Sequence, residues 1–591
     1  MLSCNWILLS DVTLPNALRQ SSTRQAGYRQ HLVRDTSLGL FSYPFFLTYT
    51  VLGRKDEFML IGDALRRCAQ NYADKLAVKD EYGQYFPAGS SYTYGELFNC
   101  VNRLANSFLD LGLKKGDRVA VQTGSGLGYV VSLLALAKVG MIIAPIGRTF
   151  MEDEIAYQVN DSKARGFIAD ADIVEDKLRK IESQLKPVEH FISIGEKTPC
   201  DYDFDTLMRE GSSQEPQIEV GEDDIATLIY TSGTTGKPKG TPLTHRNWSF
   251  SAFMWSAELG VHPYTRWLLL LPLHTSGGTG LTIASMFRGC SLFLSTPAPP
   301  KVLKIINDEK ITFTQFSPTL LANVVRHPEA KHCDFSSIEH WFTSAAPISA
   351  KLLKEGAQCL GERFIQLFGT TETALLGTVL RPEEVAVDGP LSKRLTSIGR
   401  ASLGYETKVV DDDGRPVKPG EIGELAIKGG GVAKGYWNKP DVDDFRDGWW
   451  YSGDLVKVDE DGYYYVVDRK KDMILSGGMN VSSREVEDVI AAYPAVNMVS
   501  VIGVPDEKWG EAVKAVIVLK EDSKATEEEI IAHCEKRLAN YKRPKSVDFI
   551  DTRQMPMMGG GYKILKRELR DRYRKQYQKD KNEKFDRWGA V

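Results

Sequence analysis

A chain of 591 residues is too long for one ordinary core, so two or more domains are expected. With 26% charged and 42% apolar residues it has the composition of a soluble globular protein, and a net charge of −4 leaves no basic surplus for a nucleic-acid partner. Its 8 cysteines are scattered without a CxxC pair, which argues for reduced thiols and against a disulfide scaffold or a zinc site.

Residues 1–57 carry arginines at 19, 24, 29 and 34, and only Asp11, Asp35, Asp56 and Glu57 as acids. That bias fits a mitochondrial transit segment. An unstructured extension or a wrongly chosen start, on a cytoplasmic protein, is the plainer reading. From residue 58 to about 225, strands and helices alternate. Thr93-Tyr-Gly-Glu96 reads as a capping box opening a helix with Leu97, Val101, Leu104, Phe108 and Leu111 on its apolar face. Gly112 stops that helix, Lys115-Gly-Asp117 turns, and Arg118-Val-Ala-Val121 is a strand. Residues 129–147 form the most membrane-like run, but Lys138, Gly140 and Pro145 interrupt it, so a buried helix followed by a buried strand is predicted. This rhythm predicts parallel sheets covered by helices.

Residues 226–230 read as a short buried strand. It runs into ten residues holding the hydroxyls of Thr231, Ser232, Thr234 and Thr235, the glycines 233, 236 and 240, and Lys237 and Lys239. Glycines let backbone N–H groups face an anion, hydroxyls donate further hydrogen bonds and lysines neutralise charge, which is what wrapping a polyphosphate requires. A Walker A loop is excluded, because Thr231 stands where its first glycine belongs and Pro238 where its Ser or Thr belongs. Farther on, Leu243-Thr-His-Arg-Asn247 leads into a helix, residues 267–273 read as a buried strand ending at Pro272-Leu-His274, and residues 396–465 turn β-rich. The last hundred or so residues read as a compact α+β unit. Ser482-Ser-Arg-Glu485 and Thr526-Glu-Glu-Glu529 open its helices, and a basic stretch at 566–584 reads as a solvated helix face.

The segment Tyr230-Thr-Ser-Gly-Thr-Thr-Gly-Lys-Pro-Lys-Gly240 resembles the signature loop of the adenylate-forming superfamily, which includes acyl-CoA synthetases, non-ribosomal adenylation domains and beetle luciferases. Further motifs follow in the family's order: Phe342-Thr-Ser-Ala-Ala-Pro347, Gln366-Leu-Phe-Gly-Thr-Thr-Glu-Thr373, Gly448-Trp-Trp-Tyr-Ser-Gly-Asp454, Asp468-Arg-Lys-Lys-Asp-Met473 and Gly561-Tyr-Lys-Ile-Leu-Lys-Arg567. The resemblance implies an α/β fold, with an AMP-binding domain over 58–468 that includes a small β-barrel-like subdomain. A mobile α+β domain over 469–591 would follow, joined by a hinge at Lys471. It implies ATP and AMP contacts from Thr231, Ser232, Gly233, Thr234, Thr235, Gly236, Lys237, Ala345, Ala346, Pro347, Phe368, Gly369 and Thr370. Thr371 is expected beside the α-phosphate, Glu372 on Mg²⁺, Asp454 on the ribose hydroxyls and Arg469 on the ribose or phosphate side.

Lys563 is implied as the catalytic lysine, Gly477 and Gly478 as the tunnel for the coenzyme A arm, and His274 and Gly278 as parts of the acyl pocket. Three departures stand out. Phe368 replaces the usual tyrosine, an aromatic is missing before His274, and Tyr562 stands where a glycine normally precedes the lysine. His274 reads equally as a satisfied structural histidine. The implied chemistry converts a carboxylic acid to its acyl-adenylate with release of pyrophosphate, then to its coenzyme A thioester with release of AMP. The expected pocket, in parts of 248–256, 273–280 and 343–346, is apolar. Medium- to long-chain or aryl acids are therefore favoured over a dicarboxylate, with Arg148 and Arg246 as the open question. Loading of a separate carrier protein and a nucleotide-binding pseudoenzyme are the rival readings. No carrier domain is expected behind Lys563, no transmembrane segment is expected, and a monomer or homodimer is anticipated.

Overall fold

The computed structural model describes residues 59–83, 85–195, 198, 200–231, 237–343, 348–557 and 564–588. The N-terminal extension lies outside the described residues. So do Ser232, Gly233, Thr234, Thr235 and Gly236 of the glycine-rich segment, Ala345, Ala346 and Pro347, and Lys563.

Two large sheets carry the first part of the chain. In one, the order is Tyr202–Asp203, His190–Ile194, Gly166–Asp170, Arg118–Gln122, Ile142–Pro145, Ile225–Thr231 and Lys239–Thr244, all parallel except the last. The other has nine strands. Its parallel centre runs through Leu76–Asp80, Ser291–Leu294, Arg266–Leu269, Phe313–Phe316, His340–Thr343 and Phe364–Phe368, with antiparallel strands at both ends. Sequences such as Trp267-Leu-Leu269 are apolar without alternation because these strands are buried on both faces. The helix Leu127–Lys138 is buried at every position and touches strands of both sheets, as expected of a helix apolar all round. No described helix is long and apolar enough to cross a membrane.

The helix predicted after Thr93 spans Tyr94–Asp110, with the capping box present and Leu97, Val101, Leu104 and Phe108 buried. The strand expected over 267–273 is shorter, Arg266–Leu269. Pro272 has no N–H to give a ladder, and its carbonyl instead accepts from Thr275 N in a turn. Leu270 and Leu273 are buried by packing rather than by pairing.

A five-stranded antiparallel sheet follows, made of Tyr405–Val410, Ile422–Gly429, Phe445–Arg446, Trp449–Val458 and Tyr464–Arg469. The C-terminal unit has its own sheet, built on the long hairpin Val496–Asp506 and Gly510–Leu519. Helices Ser483–Ala491 and Glu527–Glu535 cover a separate core.

Candidate active site

The strand Phe364–Phe368 ends at the carboxyl edge of the nine-stranded sheet, the edge where ligands of parallel α/β sheets bind. It delivers Gly369, Thr370, Thr371 and Glu372 into a single 3-10 turn over Thr371–Thr373. The chain then doubles back through two left-handed residues, Ala374 (φ 47°) and Leu375 (φ 79°). This brings the Leu375 carbonyl onto Gly369, where any Cβ would collide with it, so only glycine fits there. Phe368 is half-buried at the strand end. Glu372, 8% exposed, accepts the Tyr436 phenol at 3.0 Å on Oε1, and its backbone carbonyl accepts Ala433 N at 2.8 Å. The Thr371 hydroxyl donates to Ser276 Oγ at 2.8 Å, at the first turn of the helix Ser276–Arg288.

Asp454, 4% exposed, lies directly opposite Arg469 in the ladder between Trp449–Val458 and Tyr464–Arg469, and Arg469 Nε stands 3.0 Å from its Oδ1. The Asp454 charge, with smaller contributions from Asp472 and Glu372, holds Arg469 above its ordinary pKa despite burial. Arg469 thus feels both carboxylates expected in the site, which are 82 residues apart in the chain (454 − 372).

The two lysines of the glycine-loop region separate by environment. Lys239 is buried, paired with Asp444 at 3.1 Å and 4.5 Å from the centre of the Tyr436 ring, so it holds the loop base. Lys237 is exposed, 5.2 Å from the centre of the Tyr157 ring. Tyr230 is anchored by its hydroxyl to Asp161 at 2.7 Å. His274 packs edge-on to Phe150 at 6.0 Å and has no hydrogen-bond partner among the described residues. Burial pushes its pKa down to about 4, which keeps it neutral at pH 7. Gly278 is buried against the backbone of Pro272 and Leu273, where a Cβ would collide; the helix's close approach to that turn accounts for this glycine. Arg148 is paired with Asp172, and Arg246 with Glu222 and Asp223.

Around Lys471 the fastenings divide. Lys470 N donates to the Gly453 carbonyl at 2.8 Å, and its ammonium pairs with Asp412 at 2.8 Å and Glu424 at 3.3 Å, all on the five-stranded sheet or its turns. Asp472 accepts Arg570 of the C-terminal helix at 2.7 Å. Burial opposes its charge, yet Lys566 and Arg570 hold the carboxyl below the ordinary range. Asp468, 5% exposed, crosses between the units, accepting Ser483 N at 2.6 Å at the start of the helix Ser483–Ala491. Gly477 and Gly478 are exposed at φ 59° and 78°, forming the turn between Ile474–Ser476 and Met479–Val481, a pair of left-handed residues that glycines suit. Tyr436 and Asp444 lie outside the sequence motifs, and Asp468 opens one of them without a role of its own. The run Gly435-Tyr-Trp-Asn438 was the available signal, an aromatic pair in an otherwise polar loop.

A carboxylate at the carboxyl edge of a parallel sheet, with a cross-strand Asp454–Arg469 pair whose arginine feels its charge, is an arrangement suited to an α/β enzyme that binds a nucleotide. The chain belongs to the AMP-binding enzyme family of adenylate-forming proteins: the family profile for AMP-binding enzymes matches residues 65–437, and that for the AMP-binding enzyme C-terminal domain matches 485–562. It is similar to a feruloyl-CoA synthase of Amycolatopsis sp, 35% identical over 489 residues, covering 82% of this chain and 94% of the relative. It is also similar to a long-chain-fatty-acid–CoA ligase of Mycobacterium tuberculosis, 34% identical over 490 residues, with 81% and 93% coverage. Among solved structures, an anthranilate CoA ligase in complex with anthranoyl-AMP superposes with a TM-score of 0.79 at 28% identity, over 88% of this chain and 99% of that one. The chain is accordingly an AMP-forming acid–thiol ligase that uses ATP and coenzyme A.

Proposed function

We propose that the acid this ligase activates is an apolar monocarboxylic acid, aliphatic or aryl. The observation that carries the reading is the fate of the cations that could have received a second carboxylate. Arg148 and Arg246 are already in ion pairs, and His274 is neutral. A second negative charge in that pocket would be desolvated without a partner, which costs several kcal/mol. The feruloyl, fatty-acid and anthranilate names among the similar proteins fall on the same side, and the o-succinylbenzoate CoA synthetase of Bacillus subtilis, whose acid carries two carboxylates, falls on the other.

In the first half-reaction the substrate carboxylate attacks the α-phosphorus of ATP and the pyrophosphate bond breaks. Two anions meet, so positive charge around the reacting atoms is the main catalytic requirement. Lys563, Lys237 and the backbone N–H groups of Ser232, Gly233, Thr234, Thr235 and Gly236 are the groups assigned to it. Asp454 accepts the ribose hydroxyls, a role suited to an acceptor-only carboxylate, and Arg469 pairs with it at 3.0 Å. When bound, Mg²⁺ neutralises phosphate charge, and Glu372 is the residue that would hold it. One carboxylate suffices, because Mg²⁺ on a nucleotide takes one or two carboxylates besides phosphate and water oxygens. The second half-reaction breaks the acyl–phosphate bond as the coenzyme A sulfur attacks the acyl carbon, with Lys471 as the pivot that exchanges Lys563 for the Gly477–Gly478 turn. Pyrophosphate release measured for matched mono- and dicarboxylic acids, with and without coenzyme A, tests the assignment. Turnover confined to the monocarboxylates supports it, and preferred turnover of a dicarboxylate overturns it.

A further inference from the structure

The helix Ser276–Arg288 begins at the candidate site, where Ser276 meets Thr371. Gly280 is four residues on, on the same face and about 6 Å deeper along the helix axis. Glycine inside a helix costs about 1 kcal/mol relative to alanine, so its presence calls for a reason. Here a Cβ would collide with the Trp248 indole and come within 2.5 Å of Leu375 Cδ1. The space a side chain would take at Gly280 is filled by those two residues.

Both are held firmly. Trp248 is 1% exposed, and its Nε1 donates to Thr227 Oγ1 at 3.1 Å, in the strand that feeds the glycine loop. Swinging the indole away would leave a buried donor and acceptor unpaired. Leu375 is one of the two left-handed residues that end the Glu372 loop, and that loop is tied down by the Ser251 hydroxyl donating to the Ala374 carbonyl at 2.5 Å. On the same helix, His245–Leu259, Trp255 is packed on Phe342 at 5.4 Å and on Trp267 at 5.8 Å, so the Trp248 face of the helix is backed by a close-packed aromatic cluster.

We infer that Trp248 and Leu375 form the far wall of the acid pocket and restrict this ligase to compact acids, either a short aliphatic chain or a single aromatic ring. The inference rests on the proposed reading that the acid meets ATP beside Thr371. It narrows that reading by removing longer straight chains, because the depth from Ser276 to the wall is one helical turn. A longer chain has to displace a hydrogen-bonded indole, and each methylene that does not fit a hydrophobic pocket costs about tenfold or more in kcat/KM.

The test measures pyrophosphate release and thioester formation for benzoate, 4-hydroxybenzoate and the straight-chain acids from acetate to hexadecanoate. The wild-type enzyme is expected to show its highest kcat/KM among the compact acids, and at least about tenfold less with dodecanoate. Trp248→Leu should raise the dodecanoate-to-benzoate ratio of kcat/KM by about tenfold or more. Leu375→Ala, which opens the wall from its other side with a smaller loss of packing, should move the ratio in the same direction. Wild-type enzyme that turns over dodecanoate or hexadecanoate as well as it does the compact acids overturns the wall, as does a ratio unchanged in folded Leu375→Ala. AMP formation from none of the acids would instead overturn the underlying reading of the site.

Discussion

The Tyr436 phenol donates to Glu372 Oε1 across 3.0 Å, while the Lys239 ammonium lies 4.5 Å from the centre of the same ring. Burial first, and then the charges of Glu372 and Asp444, push the Tyr436 pKa upward, so the phenol stays a donor at any working pH. The bond fixes one oxygen of the carboxylate that would hold Mg²⁺. Hydrogen bonds to charged groups are worth about 1.5–3 kcal/mol. Tyr436→Phe is therefore expected to raise the Mg²⁺ concentration for half-maximal adenylation by about tenfold. An unchanged Mg²⁺ titration would take Tyr436 out of the site.

Asp454 and Arg469 make a cross-strand ion pair whose acid is almost fully enclosed. Asp454→Asn keeps the shape but removes the charge and one acceptor. ATP KM should rise about tenfold or more, the cost of a charge-assisted hydrogen bond. Discrimination between ATP and its 3′-deoxy analogue should shrink in parallel. If the variant loses affinity equally for both nucleotides, the ribose assignment fails.

Much of this site could be read from the chain because its parts are short strings at strand ends. The run from Gln366 to Thr373 and the segment from Gly448 to Asp454 each carry their functional group within a single turn or strand. What could not be read depends on register and packing. That Arg469 stands opposite Asp454 follows from the pairing of two strands, a fact with no local sequence mark. Tyr436 reaches Glu372 from a loop without periodicity. The apolar run after Trp267 reads as one long strand, since burial by packing and burial by pairing leave the same composition; Pro272 was the only hint of an early end. Gly280 looks like an indifferent helix glycine until the Trp248 ring is placed against it.

Lys563 lies outside the described residues, and its role is tested by chemistry rather than geometry. Lys563→Ala should lower the adenylation rate by orders of magnitude, given about 3 kcal/mol for one preorganised donor to a developing anion. ATP binding, followed by nucleotide fluorescence or calorimetry, should change little. Normal adenylation by the variant would show that the lysine is misplaced, and the Tyr562 departure would then be the first place to look.

The segment on either side of Lys471 is tied to different parts of the molecule, Lys470 to Gly453, Asp412 and Glu424, and Asp472 to Arg570. On the proposed reading of Lys471 as the pivot, a rotation of the C-terminal unit would be taken up there and would break the Asp468–Ser483 bonds. Proline fixes φ near −65° and restricts the residue before it. Lys471→Pro should spare acyl-adenylate formation and reduce thioester formation by at least about tenfold, a loss of about 1.4 kcal/mol in the second barrier. Equal damage to both half-reactions would place the pivot elsewhere.

His245 sets an acid limit on stability. The residue is 0% exposed, its Nδ1 accepts Ile61 N at 3.5 Å, and burial lowers its pKa from 6.5 to about 4. Because the folded pKa lies below the unfolded one, the native state binds fewer protons between those values, and stability falls as pH drops through that window. At pH 5 the unfolded chain has taken up most of a proton that the native state refuses, a loss of about 2 kcal/mol relative to pH 7. Denaturant unfolding of wild type and His245→Asn at both pH values isolates this contribution. The variant should be less stable at pH 7, through lost packing, yet lose about 2 kcal/mol less than wild type on acidification. Identical pH dependence in the two proteins would mean that His245 does not remain neutral in the core.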